Sequence, residues 1–177
     1  GGRVLFGDNC APCHGLGGAG QGFFPTLADD DWLWGGTLTD IQTTVTHGVR
    51  NGGAEARDSQ MPRFGADQML TRAQIADVAE YLLSLSSRST DAEAAQRGET
   101  VYAESCVACH GEAGAGMPEM GAPRLNDAIW LYGGDKPSIM AQVINPRHGV
   151  MPAFGERLEP TQIKMLALYV HSLGGGQ

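Results

Sequence analysis

Two copies of one pentapeptide, Cys-x-x-Cys-His, constrain this chain more than any other feature. The first copy, CAPCH, runs from Cys10 to His14, and the second, CVACH, runs from Cys106 to His110. All four cysteines of the 177-residue chain lie in these copies, so none is left for a structural disulfide. The cysteines therefore serve only the group that each pentapeptide binds.

The sequence around the pentapeptides is also duplicated. Residues 2–85 align with residues 98–173, with the same landmarks in the same order. A Ser-rich stretch at 84–90 separates the copies, so we expect two domains, residues 1–87 and 88–177. The matched landmarks are Gly2 with Gly98, Phe6 with Tyr102, Pro25 with Pro123, Leu27 with Leu125, 32–36 with 130–134, 47–49 with 148–150, 61–65 with 151–155, and Tyr81 with Tyr169.

Each copy has the pattern of helix, loop and helix. Residues 90–93 (TDAE) form a capping-box pattern, which predicts a helix from Thr90 into Cys106. Residues 71–74 (TRAQ) are a second capping box before apolar residues at helical spacing, and Pro160 begins the counterpart helix in the second copy. The first copy is expected to begin already inside its first helix. With 26 glycines, mostly in loops between these helices, the chain is predicted to be all-α with Gly/Pro-rich loops.

The pentapeptides are the attachment motif of covalent haem. Two thiols three positions apart, followed at once by His, place two sulfurs and one imidazole on one side of a porphyrin. A large flat apolar group would also complete the small core that about 90 glycine-rich residues provide. A zinc ribbon needs its cysteine pairs close together, and a thioredoxin-like pair needs neither the His nor a second copy. We predict two covalent haem c groups, on Cys10 and Cys13 and on Cys106 and Cys109, with His14 and His110 as iron ligands.

Methionine is the predicted sixth ligand of each iron. Of the seven methionines only Met61 and Met151 align, each in M-P-x-F-G, and the following proline keeps the backbone extended. A thioether raises the potential relative to a second His, whereas the other methionines are read as core filler. His47 and His148 also align and are the alternative ligands. We prefer to interpret them as loop histidines near a haem propionate.

Further residues are candidates for supporting contacts. A ligating His usually donates its other N–H to a carbonyl, which Pro25 and Pro123 are placed to offer. Trp32 and Trp130 either line the haem, with the indole N–H reaching a propionate, or are plain aromatic core. Arg50, Arg124 and Arg147 either pair with propionates or are solvated surface residues.

The charge and hydropathy of the chain exclude some classes of function. Its net charge of −8 excludes an ordinary basic nucleic-acid-binding protein. An acidic surface suits a partner with a positive docking face, or simply keeps the chain soluble. No run reaches the 18 or more apolar residues of a membrane span, and the start at Gly1 suggests a processed or detached N-terminus.

Four longer motifs carry a family resemblance that covers the whole chain. They are DDDWLWGG at 29–36, AIWLYGG at 128–134, HGVMPAFG at 148–155 and YVHSLGGG at 169–176. With these motifs the chain resembles the periplasmic part of the dihaem cytochrome c subunit (subunit III) of cbb-type haem–copper cytochrome c oxidases. The resemblance implies two tandem class I cytochrome c domains, with His/Met ligation at both irons.

The resemblance also implies a place in respiration. Such a subunit lies on the periplasmic side of the bacterial inner membrane, through an N-terminal anchor that this chain lacks. It takes electrons from a cytochrome c donor and passes them through a monohaem cytochrome c subunit to the catalytic haem–copper subunit, and it performs no bond chemistry itself. A soluble periplasmic dihaem shuttle is the alternative. A dihaem peroxidase needs a releasable sixth site, against which the two M-P-x-F-G motifs argue.

One difference separates the two copies. Eleven residues, 50–60, stand between His-Gly-Val and Met61 in the first copy, and none stands there in the second. The segment is polar and contains glycine, so we expect an exposed loop beside the first haem. It either shapes a partner contact, shields that haem edge or is a tolerated insertion.

Overall fold

The structure, a computed structural model, describes residues 1–176 and is helical. No strand occurs in this part of the chain, only isolated bridges, which confirms the all-α prediction. None of the helices in the described residues is long and apolar enough to cross a membrane. The α-helices are α1 (Gly2–Asn9), α2 (Ala11–His14), α3 (Leu38–His47), α4 (Arg72–Ser84), α5 (Ala92–Ser105), α6 (Val107–His110), α7 (Lys136–Ile144) and α8 (Pro160–His171), with 3₁₀ turns at Leu16–Gly18, Glu112–Gly114 and Pro118–Met120.

Local capping chemistry sets the starts of the long helices. The predicted box at α4 is confirmed, because Thr71 Oγ1 accepts from Gln74 N at 3.2 Å and Gln74 Oε1 accepts from Thr71 N at 2.9 Å. Pro160 is the first residue of α8, also as predicted. The prediction of Thr90 as the cap of α5 is wrong by one residue. Asp91 caps α5, since its side chain accepts from Ala94 N at 3.0 Å. In the predicted box the N–H of Thr90 would donate to Glu93, but it donates instead to the buried carboxylate of Glu80 on α4.

The chain forms two compact units that do not follow the expected boundary between residues 87 and 88. The first unit combines Gly1–Ser59 and Pro118–Gly121 with the chain from His148 onward. The second unit combines Gln60–Met117 with Ala122–Arg147. Each unit thus takes its pentapeptide from one repeat and its M-P-x-F-G motif and last helix from the other.

The core of the first unit forms where α1 and α3 pack against α8. Its buried residues are Phe6, Ile41, Val45, Phe154, Ile163, Leu166, Ala167 and Val170. Since α1 and α8 lie near opposite ends of the chain, this core joins the first repeat to the end of the second.

The core of the second unit forms where α4 packs against α5 and α7. Its main cluster contains Val78, Ala79, Leu82, Leu83, Val101, Tyr102, Leu125 and Ile139. A smaller cluster of Phe64, Ile75 and Val143 adjoins Met61, and Met140 packs against both.

The exchange of last helices has a physical reason in the duplication itself. Because the repeats are copies, the last helix of either one presents the same kind of face to the first helix of either one. The short connection between α4 and α5 then favours pairing these two neighbours as a helical hairpin, since short connections usually join adjacent elements. The last helix of the second repeat, α8, is left to pair with α1.

Candidate haem sites

Each pentapeptide occupies one helical turn that follows a kink. Cys10 has φ −115° between α1 and α2, and Cys106 has φ −122° between α5 and α6. The backbone N–H of His14 donates to Cys10 O at 2.9 Å, and His110 N donates to Cys106 O at 2.9 Å. Both cysteines and the histidine of each motif therefore share one turn, as two thioether bonds and one iron bond to a single porphyrin require.

The two ligand imidazoles are oriented by proline carbonyls. Nδ1 of His14 lies 2.9 Å from Pro25 O, and Nδ1 of His110 lies 3.1 Å from Pro123 O. With the proton on Nδ1 donated to the carbonyl, Nε2 keeps the lone pair that binds iron. Burial lowers the pKa of both histidines, although the bond to the carbonyl opposes this, so both are neutral at neutral pH, as ligation requires.

The thiols are not those of a reactive redox pair. Burial, with a smaller contribution from the second cysteine of the motif, raises the pKa of Cys10 and of Cys106 to about 11. A thioredoxin-like pair needs a lowered thiol pKa. The two cysteine pairs also lie in different units, whereas a zinc ribbon needs both pairs in one site.

Each of the two aligned methionines lies in the unit that contains the pentapeptide of the other repeat. Met151, from the second repeat, is partly buried against the core of the first unit, with Cys10, Leu27 and Trp32. Met61, from the first repeat, is partly buried in the second unit against Phe64, Ile75 and Val143. Met151 thus shares a unit with His14, and Met61 shares a unit with His110.

The indole N–H groups of Trp32 and Trp130 meet the backbone, which favours the second of their two alternative roles. Trp32 Nε1 donates to Gly175 O, and Trp130 Nε1 donates to Asp127 O at 3.0 Å. Both indole N–H groups are therefore used by backbone carbonyls, and the rings pack against the cores of their units, which is the aromatic-core interpretation.

Trp34 is a better candidate, which the sequence reasoning missed. Its Nε1 is the one buried side-chain polar atom in residues 1–176 that has no hydrogen-bond partner. Buried N–H groups are almost always paired, so an acceptor such as a haem propionate suits this position. The guanidinium carbon of Arg57 lies 5.7 Å from the centre of the Trp34 ring. The signal in the sequence was the second tryptophan of WLW, which aligns with Tyr132 of WLY. The guanidinium carbon of Arg147 lies 6.0 Å from the centre of the Tyr132 ring.

The aligned histidines and the candidate arginines are not arranged alike in the two units. His47 and His148 both belong to the first unit, where His47 Nδ1 lies 3.2 Å from Glu55 Oε2. Burial and then Arg50 lower the pKa of His148, with Asp58 opposing them. Arg50 donates from Nε to Gly149 O at 2.7 Å, whereas Arg124 is exposed in the second unit.

Comparison with known proteins agrees with the geometry. The family model of cytochrome c matches residues 1–86, and the model described as cytochrome c oxidase, cbb3-type, subunit III matches residues 93–170. The cbb3-type cytochrome c oxidase subunit FixP of Azorhizobium caulinodans is 54% identical over 99% of this chain and 60% of its own length. The subunit CcoP of Azospirillum brasilense is 54% identical over 100% of this chain and 62% of its own length. The subunit CcoP of Cereibacter sphaeroides is 51% identical over 99% of this chain and 61% of its own length.

The chain spans about three fifths of the length of these relatives. The two cytochrome c matches, one on each pentapeptide, identify two covalently bound haem c groups. With relatives about half identical over its full length, the chain belongs to the family of dihaem cytochrome c subunits of cbb3-type cytochrome c oxidases.

Proposed function

We propose that this chain relays electrons from a cytochrome c donor toward the catalytic subunit of a cbb3-type oxidase and transforms no substrate itself. One observation carries the proposal: each compact unit contains one pentapeptide histidine and one M-P-x-F-G methionine. Haem iron held between these two ligands cycles between ferric and ferrous states and offers no open position for a substrate.

The ligand sets follow the units rather than the repeats. His14 and Met151 serve the haem on Cys10 and Cys13, because both ligands and both cysteines lie in the first unit. His110 and Met61 serve the haem on Cys106 and Cys109 in the second unit. The domains 1–87 and 88–177 are thus repeats of sequence, and each haem-binding body draws on both.

Residues near each pentapeptide fix the orientation of the proposed haem ligands. The carbonyls of Pro25 and Pro123 keep the imidazoles in the tautomer that binds iron. The unpartnered Nε1 of Trp34 supports a hydrogen bond to a haem propionate in the first unit. Neutral ligands in apolar surroundings favour the ferrous state and so a high potential, which suits the donor end of a respiratory chain.

The relatives also support a proposal for the place of the chain in the cell. They are subunits of an oxidase, so we propose that the chain lies on the periplasmic side of the bacterial inner membrane, held by an N-terminal anchor in the longer protein. Its neighbours there are a monohaem cytochrome c subunit and the catalytic haem–copper subunit. The relatives favour neither the soluble shuttle nor the dihaem peroxidase.

Isolation of the full-length protein from membranes tests this function. We expect it to co-purify with an oxygen-reducing haem–copper subunit, and its reduced haems to reoxidise in oxygenated buffer only when that subunit is present. Rapid-mixing absorbance at the haem c bands measures the reoxidation. Purification without such a subunit would favour the shuttle, and steady peroxide turnover by the isolated chain would favour the peroxidase.

A further inference from the structure

We propose that Asn51 is a positioning residue for Met151. Its side-chain amide holds the backbone carbonyl of Met151, so that the thioether stays at the iron of the haem bound to Cys10 and Cys13. The inference rests on the proposed ligation by Met151, and it gives a role to the loop 50–60 that only the first repeat contains.

The amide of Asn51 is fully engaged around the ligand. Its Nδ2 donates to Met151 O at 3.1 Å and to His47 O at 2.9 Å. Its Oδ1 accepts from Gly53 N at 2.9 Å. Both donor hydrogens and the acceptor therefore have partners within the first unit, which holds this side chain in one orientation.

The backbone of Met151 is held on both sides. Val49 N donates to Met151 O at 3.0 Å, and Met151 N donates to Val49 O at 2.9 Å. Asn51 supplies the second hydrogen bond to the same carbonyl. Pro152 restricts Met151 to extended conformations, so these bonds fix the direction in which its side chain leaves the backbone.

Gly48 shows how tightly this contact is packed. Its φ is +72°, a conformation that side chains rarely adopt, and an added Cβ would overlap Asn51 Nδ2 and Met151 O. The Gly of the first His-Gly-Val is therefore needed for the amide and the carbonyl to meet. The matching Gly149 has another role, since its carbonyl accepts from Arg50 Nε at 2.7 Å.

The rest of the loop anchors Asn51 to the body of the unit. Arg50 N donates to Arg57 O at 2.8 Å, and Arg57 N donates to Gly48 O at 3.0 Å, which closes the loop at its base. Arg57 Nε donates to Thr44 Oγ1 on α3 at 2.9 Å. Residues 52–55 are exposed, but the base of the loop is half-buried. The loop is thus more than an exposed insertion, because its base contacts the Met151 segment.

Competition by imidazole tests the role of Asn51. Imidazole competes with the Met151 thioether for the iron, so loss of the bond that positions Met151 should favour imidazole. A neutral hydrogen bond changes an equilibrium about two- to tenfold, and we expect Asn51→Ala to bind imidazole more tightly by about that factor, at one haem only. Asn51→Asp keeps the size but loses the donor and should behave like Asn51→Ala. The readout is loss of the methionine-to-iron charge-transfer band of the oxidised protein, with urea unfolding in parallel. The control is Asn126→Ala, which removes a similar amide bond, to Ala113 O at 3.0 Å, in the second unit.

The possible results separate this inference from the ligand assignment. Met151→Ala should remove about half of the charge-transfer band, since one of two haems loses its thioether; an intact band would refute ligation by Met151. If Met151→Ala halves the band but both Asn51 variants titrate like the parent protein, the positioning role is refuted. A change at both haems, or an equal change in Asn126→Ala, would show general destabilisation and would also overturn it.

Discussion

At the scale of single residues, Glu80 shows how the connection between the repeats is held. It is the one charged side chain in the core of the described residues, with 2% of its surface exposed. It accepts from Lys136 Nζ at 2.8 Å, from Ser89 Oγ at 2.6 Å and from Thr90 N at 3.1 Å. The bond from Lys136, followed by that from Ser89, lowers the pKa of Glu80 to about 2, although burial opposes this. The carboxylate thus joins α4, the linker and α7.

Glu80→Gln should destabilise the second unit at neutral pH. The carboxylate is buried but Lys136 is partly exposed, so losing this charged hydrogen bond should lower the free energy of unfolding by about 1.5–3 kcal/mol. The folded pKa lies below the unfolded value of 4.5, so the stabilisation is present above pH 4.5 and is lost as the pH falls toward 2.

Urea unfolding by circular dichroism, at pH 7 and again near pH 3, measures this difference. The gap between Glu80→Gln and the parent protein should narrow at the lower pH. Glu104 is an exposed glutamate on α5, and Glu104→Gln should change stability by less than about 0.5 kcal/mol. A loss of the same size at both pH values would contradict the role assigned to the carboxylate.

At the scale of the helices, both units use the same kind of crossing. Phe6 and Tyr169 have ring centres 5.2 Å apart in the first unit, and Tyr81 and Tyr102 have ring centres 5.1 Å apart in the second. An added Cβ at Gly98 would overlap Asp77 O, because α5 meets α4 at this glycine. The aligned Gly2 likewise packs against α8. The repeats therefore carry interchangeable crossing surfaces, which permits the exchange of last helices.

Gly98→Ala should separate α4 from α5. The added methyl meets backbone rather than a flexible side chain, so we expect a loss of about 1–3 kcal/mol in unfolding free energy, or more. Gly7→Ala is the matched control, since Gly7 is also helical and nothing lies within 4 Å of its added Cβ. That change should raise stability by up to about 1 kcal/mol, because alanine favours helix. Urea midpoints of the haem-loaded proteins give both values, and equal effects would contradict this account of the crossing.

At the scale of the whole molecule, the second unit is nearly continuous in sequence. Residues 60–147 contain α4, α5 and α7, the second pentapeptide and Met61. Such a segment is a cytochrome c domain in permuted order, with its last helix preceding its first. The first unit is assembled from the chain on either side of it.

A protein of residues 60–147, matured with one haem, should fold and show the methionine-to-iron band. We expect Met61→Ala to abolish the band, because Met61 is the proposed ligand of this haem. Met140→Ala should leave it, since Met140 packs against both clusters of this unit but is not the proposed ligand. Absorbance of the oxidised protein measures the band. A fragment without the band, or one that keeps it in Met61→Ala, would refute the crossed ligand sets.

The sequence by itself determined the duplication, because copied motifs recur in the same order, and the cofactors and the helical class, because these depend on residues within a few positions of each other. Covalent attachment of a haem needs only the pentapeptide Cys-x-x-Cys-His, and the capping box at Thr71 needs only Gln74 three residues later. The error at Thr90 came from a distant carboxylate, that of Glu80. The sequence left the role of Trp32 and Trp130 open for a similar reason, since only the folded backbone shows which carbonyl each indole meets.

Only the tertiary structure decided which methionine lies with which pentapeptide. The motifs around Met61 and Met151 are copies, so either one suits either haem and no local pattern distinguishes them. The choice follows from the short connection that pairs α4 with α5 and leaves α8 for α1. The same pairing brings the loop 50–60 of the first repeat against Met151 of the second. The paired pentapeptides predict two haems, and the exchanged helices decide which methionine shares a unit with each pentapeptide.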